Sequence, residues 1–151
     1  MIFVMFLAAG PLFAQPQVGS IRPMQDYHFY SETELKDGIN CMVLTNRKQM
    51  ERIFGKIDRP DTPDFAREYL LVMVMPATKK ETGLKYKSMS VKAGEFIEVY
   101  CEVNLKGHRL TYEYNPIAVA TIPRQDNIRT IHFFDEKRKR LIGSVNVGER
   151  L

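Results

Sequence analysis

The sequence predicts an α+β domain built mostly from antiparallel β-sheet, with one short helix near residues 46–54. Apolar and polar side chains alternate strictly from Ile97 to Leu105, which is typical of a strand with one buried and one solvated face. Apolar residues recur at helical spacing after Asn46, at Met50, Ile53 and Phe54. Strand and helix patterns do not alternate along the chain, so a parallel βαβ sheet is not expected.

The first part of the domain has a mixed pattern. Residues 15–26 are polar and contain proline, which predicts a flexible lead-in. The aromatic run Tyr27–Tyr30 predicts an early strand, and the alternation over Ile39–Val43 predicts another. Either Thr45 or Asn46 can cap the helix through a side-chain oxygen.

Gly55 can end that helix, and the strands that follow it are marked by composition and by turn residues. Residues Tyr69–Met75 are apolar on both faces, which favours a central strand covered on both sides. Residues 77–83 are predicted to form an exposed loop. Further strands are predicted in pairs joined by turns, the last pair flanking the charged connection 135–140, which gives roughly eight in all.

The N-terminal stretch Met1–Ala14 carries no charged side chain and is too short to cross a bilayer as a helix. Its apolar core and terminal small residue are typical of a secretory signal peptide over residues 1–14. The expected organisation is therefore signal peptide, flexible lead-in over 15–26, and a single domain over 27–151. The sequence predicts a periplasmic or extracellular protein.

Composition excludes several classes of protein. A hydrophobic share of 44% and a charged share of 26% are those of an ordinary globular domain. No further apolar run reaches spanning length, so no integral membrane segment is expected in the mature chain. A formal net charge of +4 permits weak attraction to anionic surfaces but does not by itself indicate nucleic-acid binding, and none is expected.

The chain offers no recognisable set of catalytic or metal-binding residues. His28, His108 and His132 are not spaced as metal ligands, and His132 lies in an apolar strand where a structural role is expected. Ser144 is not in the strand–elbow–helix context of a hydrolase nucleophile. We therefore expect no enzyme activity, no catalytic residue, no metal and no cofactor.

The two cysteines, Cys41 and Cys101, both belong to predicted strand faces. In an oxidising compartment they could form a disulfide, which needs Cα atoms within about 7 Å. A buried, unpaired cysteine on an apolar face is equally compatible with the pattern.

Two groups of side chains are candidates for an interface. The densest basic run is Lys137, Arg138, Lys139 and Arg140, which could contact an acidic partner or could simply form a solvated turn. Tyr112 and Tyr114 share one face of a short strand, either as a binding platform or as the margin of the core.

The order of elements in the middle of the chain resembles the PrcB family, the protease-complex stabilising domain of exported bacterial proteins. The resemblance covers roughly residues 40–123 and rests on the capped helix after a strand, Pro63-Asp-Phe before an apolar strand, Thr82-Gly83, and the strand Asn115–Pro123. Members usually carry a second glycine where this chain has Leu84. The resemblance implies a non-enzymatic extracytoplasmic domain that binds or stabilises a protein, and it supplies no catalytic residues.

Two functions follow as hypotheses. The first is an exported protein-binding or protein-stabilising domain, with an exported protease as a partner and an interface near residues 77–83 and 135–140. The alternative is a β-rich module that binds glycans or lipids on an aromatic face.

Overall fold

The computed structural model describes residues 20–148 and contains, within that range, ten strands and one helix. The strands are β1 (Arg22–Met24), β2 (Asn40–Leu44), β3 (Glu68–Val74), β4 (Thr78–Lys80), β5 (Gly83–Lys92), β6 (Phe96–Asn104), β7 (Arg109–Tyr114), β8 (Ile117–Pro123), β9 (Thr130–Asp135) and β10 (Arg140–Asn146), and the helix is α1 (Arg47–Phe54). The predicted α+β class, rich in antiparallel sheet with a short helix, is confirmed. The signal peptide predicted for residues 1–14 lies outside the described residues.

The strands form two four-stranded sheets and a two-stranded ribbon. Sheet 1 has the order β1-β8-β3-β2, and all its pairs are antiparallel. Sheet 2 has the order β10-β9-β6-β5, in which β6 and β9 are parallel and the other pairs antiparallel. The chain passes from β6 through β7 and β8 before it returns to β9, which supplies the long connection that parallel strands need. The ribbon pairs β4 with β7.

Sheets 1 and 2 pack face to face, and α1 packs on the other face of sheet 1. Strand β3 lies between β8 and β2, so side chains on both of its faces are buried. This confirms a central strand covered on both sides. The residues of β3 that face sheet 2 are Tyr69, Leu71 and Met73, and those on the helix side are Leu70, Val72 and Val74.

Strand β6 has the two faces that its alternation predicts. Ile97, Val99 and Cys101 have no exposed surface and belong to the core between the sheets. The intervening side chains of Glu98 and Glu102 point away from that core and are half-buried and exposed, respectively. Sheet 2 therefore has one buried face and one that no described element covers.

Helix α1 begins at the cap that the sequence suggests. Asn46 Oδ1 accepts a hydrogen bond from the Gln49 backbone N–H at 2.9 Å, and the Gln49 side chain in turn accepts from the Thr45 N–H at 2.8 Å. Of the two proposed caps the structure thus selects Asn46. The helix ends at Gly55, whose φ of 79° is easily adopted by glycine.

An Asn46→Ala variant is expected to lower the free energy of unfolding by about 1 kcal/mol, because one amide of the first turn loses its acceptor. Urea unfolding followed by circular dichroism measures this loss. Lys48→Ala, an exposed substitution in the same turn, should leave the midpoint within error. Equal midpoints for the two variants would contradict a capping role for Asn46.

The lead-in predicted over 15–26 differs from the structure in its second half. Residues Arg22–Met24 form β1, which pairs with β8 at the edge of sheet 1, and Met24 is buried. Pro23 fits there because an edge strand does not need every N–H. The folded region therefore begins before residue 27, while residues 15–19 lie outside the described part.

The predicted strand at Tyr27–Tyr30 is not found; this segment is irregular. Tyr27 packs edge-to-face on Phe54 at 5.0 Å and lies under the guanidinium of Arg59 at 4.3 Å, whereas Tyr30 is exposed. Arg59 also donates to the carbonyls of Gln25 and Asp26, both at 2.8 Å, and so fastens this segment to the loop that follows the helix.

Candidate interaction surface

The outward face of sheet 2 carries several ring side chains that no described element covers. Cross-strand partners in register point to the same side of a sheet, so three rows can be assigned. We call the side chains of these rows the outer face. The rows are Lys92–Phe96–Thr130–Asn146, Ser90–Glu98–His132–Ser144 and Ser88–Tyr100–Phe134–Leu141.

Four rings form a connected series across the outer face. Phe96 and His132 have ring centroids 5.7 Å apart, and His132 and Phe134 are 6.3 Å apart. Phe134 stacks on Tyr100 at 6.1 Å with an interplanar angle of 28°. Phe96 remains 37% exposed and Leu141 49% exposed, so this face carries apolar surface that water can reach.

The sequence alone indicates no binding role for these outer-face residues. His132, for which the sequence predicts a structural role in an apolar strand, lies half-buried on the outer face. Its Nδ1 lies 2.6 Å from Ser144 Oγ, and the two are cross-strand partners. The alternation of Ile131 and Phe133 with His132 and Phe134 was the signal that could have placed them. Ser144 lies within β10, as its lack of an elbow motif suggests.

A carboxylate holds the ring of Tyr100. The Tyr100 hydroxyl donates a short hydrogen bond to Glu98 Oε2. This interaction raises the pKa of the Tyr100 phenol to about 12, because the carboxylate accepts from the protonated form and opposes its ionisation. The hydrogen bond orients the Tyr100 hydroxyl toward Glu98 on the outer face.

Beside this pair is a depression of about 480 Å³ at the end of the outer face. Its lining includes the rings of Tyr100 and Phe134 and the side chains of Glu98, Glu136 and Lys139. The rim is fixed through the backbone, since Glu136 N–H donates to the carbonyl of Cys101 at 2.9 Å. The depression thus joins the ring series to the turn after β9.

The four residues of the basic run Lys137–Arg140 are exposed. Lys137, Arg138 and Lys139 lie in the turn that joins β9 to β10, as the sequence predicts, whereas Arg140 is the first residue of β10. Buried Asp135 organises this turn: its Oδ1 accepts from the backbone N–H groups of Lys137 at 3.1 Å and Arg138 at 3.3 Å. Lys139 lines the depression just described, whereas Lys137 and Arg138 line a second one of about 520 Å³. The run is therefore divided between two surfaces.

The two tyrosines lie on the ribbon, in strand β7, and their rings are 6.0 Å apart. Tyr112 is 60% exposed and available for contact. Tyr114 is half-buried, and its hydroxyl accepts from Thr82 N–H at 2.9 Å and donates to Thr82 carbonyl oxygen at 3.2 Å. Tyr114 therefore fastens the ribbon to the chain before β5. Residues 77–83, expected to be a loop, include strand β4 of that ribbon.

Cys41 and Cys101 are free thiols in the structure, on β2 and β6. Both pack in or against the core between the sheets, and burial raises the pKa of each thiol to about 12. Since the thiolate is the reactive form, both should react slowly in the folded protein.

Thiol labelling with Ellman's reagent at pH 8 checks this expectation and the disulfide hypothesis together. With a pKa near 12, roughly one thiol in ten thousand is ionised, so the native chain should label very slowly. In urea without reductant, two thiols per chain should react. No reaction until a reductant is added would instead establish the Cys41–Cys101 disulfide.

Within residues 20–148, no group of three or more His, Cys, Asp or Glu side chains is arranged to hold a metal ion. Helix α1, the one helix in the described range, lacks the length and apolar character needed to cross a membrane.

Known proteins provide no further guide to this surface. The chain matches no family model, no curated protein and no solved structure in the comparisons. The similarity to the PrcB family therefore stays a prediction from the sequence.

Proposed function

We propose that this chain is an exported, non-enzymatic domain that binds or stabilises a partner protein through the outer face of sheet 2. The observation that carries the proposal is the ring series of Phe96, His132, Phe134 and Tyr100 on a face that no described element covers. Exposed apolar patches that are rimmed by polar side chains often mark interaction sites on a protein surface. Aromatic residues are also enriched in the centres of protein interfaces.

Export is proposed from the apolar stretch Met1–Ala14, and the resemblance to the PrcB family suggests an exported cell-envelope protease as the partner. The proposed interface keeps one of the two segments expected from the sequence, 135–140, and leaves out the other, 77–83. The turn 136–139 adjoins the outer face, whereas the ribbon that carries Tyr112 is a separate surface.

Site-specific photo-crosslinking in the host cell tests this proposal. A benzoylphenylalanine residue replaces Phe96 on the outer face, Tyr30 on the helix side or Tyr112 on the ribbon, three exposed aromatic positions. We expect one protein to crosslink reproducibly from position 96 and not from position 30. The partner, once purified, should bind the purified chain with a measurable Kd. Crosslinks from position 112 alone would move the interface to the ribbon, and none from any position would contradict protein binding.

Glycan binding is the second candidate, because polar side chains lie among the rings. Glu98 and Ser144 are the cross-strand neighbours of His132, a member of the ring series. Ring faces that stack on sugars, with adjacent carboxylate and hydroxyl groups to hydrogen-bond them, would provide a saccharide platform. Calorimetric titration with oligosaccharides of the cell envelope tests it. Binding that a Tyr100→Ala variant abolishes would favour this function over the first.

A further inference from the structure

The depression beside Tyr100 has a charge opposite to that of the chain as a whole. The chain carries a formal net charge of +4, but two glutamates, Glu98 and Glu136, line this depression with one lysine, Lys139. Asp135 also borders it, but Asp135 is in register with Cys101 and so lies on the buried side of sheet 2. Glu98 and Glu136 form no ion pair with any described residue, and buried Asp135 is engaged by the turn. The local field therefore favours a cation that comes from outside.

The rings give that cation a preferred geometry. Tyr100 and Phe134 lie nearly parallel, at 28°, and together form an apolar wall next to the Glu98 carboxylate. Glu98 uses Oε2 for the Tyr100 hydroxyl, and no hydrogen bond from a described residue engages Oε1. A planar guanidinium stacks on aromatic rings and donates to a carboxylate in the same plane, which an ammonium does less well.

Lys139 is the cation that the chain itself brings to this place. It lines the depression from the turn, where its backbone has a φ of 50°, yet its ammonium forms no ion pair with a described carboxylate. Its positive charge should oppose the approach of a second cation. Lys137, two residues earlier, lines the other depression and makes a matched control.

We infer that the depression formed by Glu98, Tyr100, Phe134 and Glu136 receives an arginine side chain of the partner protein. The inference rests on the proposed protein-binding function and names the chemistry that its outer face recognises. The guanidinium stacks on the Tyr100–Phe134 wall and donates to Glu98, with Glu136 at the rim adding attraction. Stacking on the rings and hydrogen bonding to the carboxylate would fix the partner's position. The remaining outer face would supply apolar contact.

Nuclear magnetic resonance titration of the ¹⁵N-labelled chain with capped Gly-Arg-Gly, Gly-Lys-Gly and Gly-Gln-Gly peptides tests the inference. We expect the arginine peptide to shift amides at and beside Glu98, Tyr100 and Phe134, with a Kd on the order of millimolar. The lysine peptide should bind more weakly, and the glutamine peptide should cause no saturable shift. Equal responses to the arginine and glutamine peptides, or shifts confined to other surfaces, would overturn the inference.

Three variants and one control, Lys137→Gln, sharpen the result. Glu98→Gln keeps an acceptor for the Tyr100 hydroxyl but removes the charge, and should weaken arginine-peptide binding roughly fivefold. Lys139→Gln should strengthen it roughly twofold, whereas Lys137→Gln should leave it unchanged. Phe134→Leu preserves apolar volume without the ring and should weaken binding. Unchanged Kd values for Glu98→Gln and Phe134→Leu would overturn the inference.

The two proposals fail separately. A partner crosslinked from position 96 that binds Glu98→Gln as tightly as the original chain would reject the arginine inference but leave protein binding intact. Failure to crosslink any protein would reject the function whatever the peptides do. Concentration-dependent shifts at Glu98 and Phe134 without peptide would show a second copy of the chain in the depression, and would overturn an arginine from a different protein.

Discussion

A Val99→Lys variant is expected to lose at least 4–5 kcal/mol of unfolding free energy and to be largely unfolded at 25 °C. Val99 has no exposed surface and lies in the middle of β6, in the core between the two sheets. The substitution removes a buried aliphatic group worth roughly 1.5–3 kcal/mol and brings in an ammonium that has no carboxylate partner there. Far-UV circular dichroism and urea unfolding measure the effect.

The matched control is Glu102→Lys, three residues along the same strand on the opposite face. Glu102 is exposed, and its carboxylate forms a surface ion pair with Lys87 at 3.1 Å. Loss of that pair should cost less than about 1 kcal/mol, because exposed pairs are weak and screened by salt. Similar urea midpoints for the two variants would contradict the burial of Val99, and a lower midpoint for Glu102→Lys would mean that the two faces of β6 are the reverse of those described.

The predictability of this fold depends on how local each signal is. The faces of β6 and the double burial of β3 follow from patterns that lie within a few residues of one another. Helix α1 is equally predictable from the sequence, because Asn46, the apolar stripe and Gly55 lie within ten residues of one another. The parallel pairing of β6 with β9 was not, since no local pattern specifies which distant strand becomes a neighbour.

In two segments near the start of the described range, the position in the fold overrides the local sequence signal. The sequence does not indicate the strand at Arg22–Met24, because Pro23 and the polar residues around it are typical of a loop. An edge strand tolerates both a proline and polar side chains. The aromatic run after it resembles a strand by propensity. Tyr27 instead packs on Phe54 and under Arg59, so tertiary contacts override the local preference.

The candidate surface could be predicted only in part. Charged residues between two apolar runs are a local signal for a turn, and three of the four basic residues lie in one, whereas Arg140 begins β10. The sequence leaves open whether Tyr114 belongs to a binding platform or to the margin of the core; in the structure its hydroxyl fastens the ribbon through Thr82. Alternation can place His132 and Phe134 together on one face of β9. The ring series also needs the register of three strands and the knowledge of which side of sheet 2 is covered, and alternation supplies neither of these.

A Gly107→Ala variant is expected to lower the unfolding free energy by about 2–3 kcal/mol, through overpacking rather than through any lost contact. A Cβ at position 107 would lie 2.1 Å from the carbonyl oxygen of Glu81 and 2.8 Å from its carbonyl carbon. These are backbone atoms that cannot turn aside, and the Glu81 N–H is already bonded to the His108 carbonyl at 2.8 Å. The chain before β5 must therefore move away from the loop that enters β7.

Gly83→Ala is the control at a nearby glycine, because its Cβ would lie 3.4 Å from Asn104 Cβ and 4.0 Å from the Asn104 carbonyl oxygen, both ordinary contacts. Urea midpoints should separate the two variants, and hydrogen exchange should show where the strain is released. Strands β4 and β7 share few backbone partners with either sheet, so their amides should lose protection first while those of β6 and β9 keep theirs. That pattern would show that the ribbon carrying Tyr112 opens independently of the outer face. Loss of protection in all strands together would instead make the ribbon part of the cooperative core.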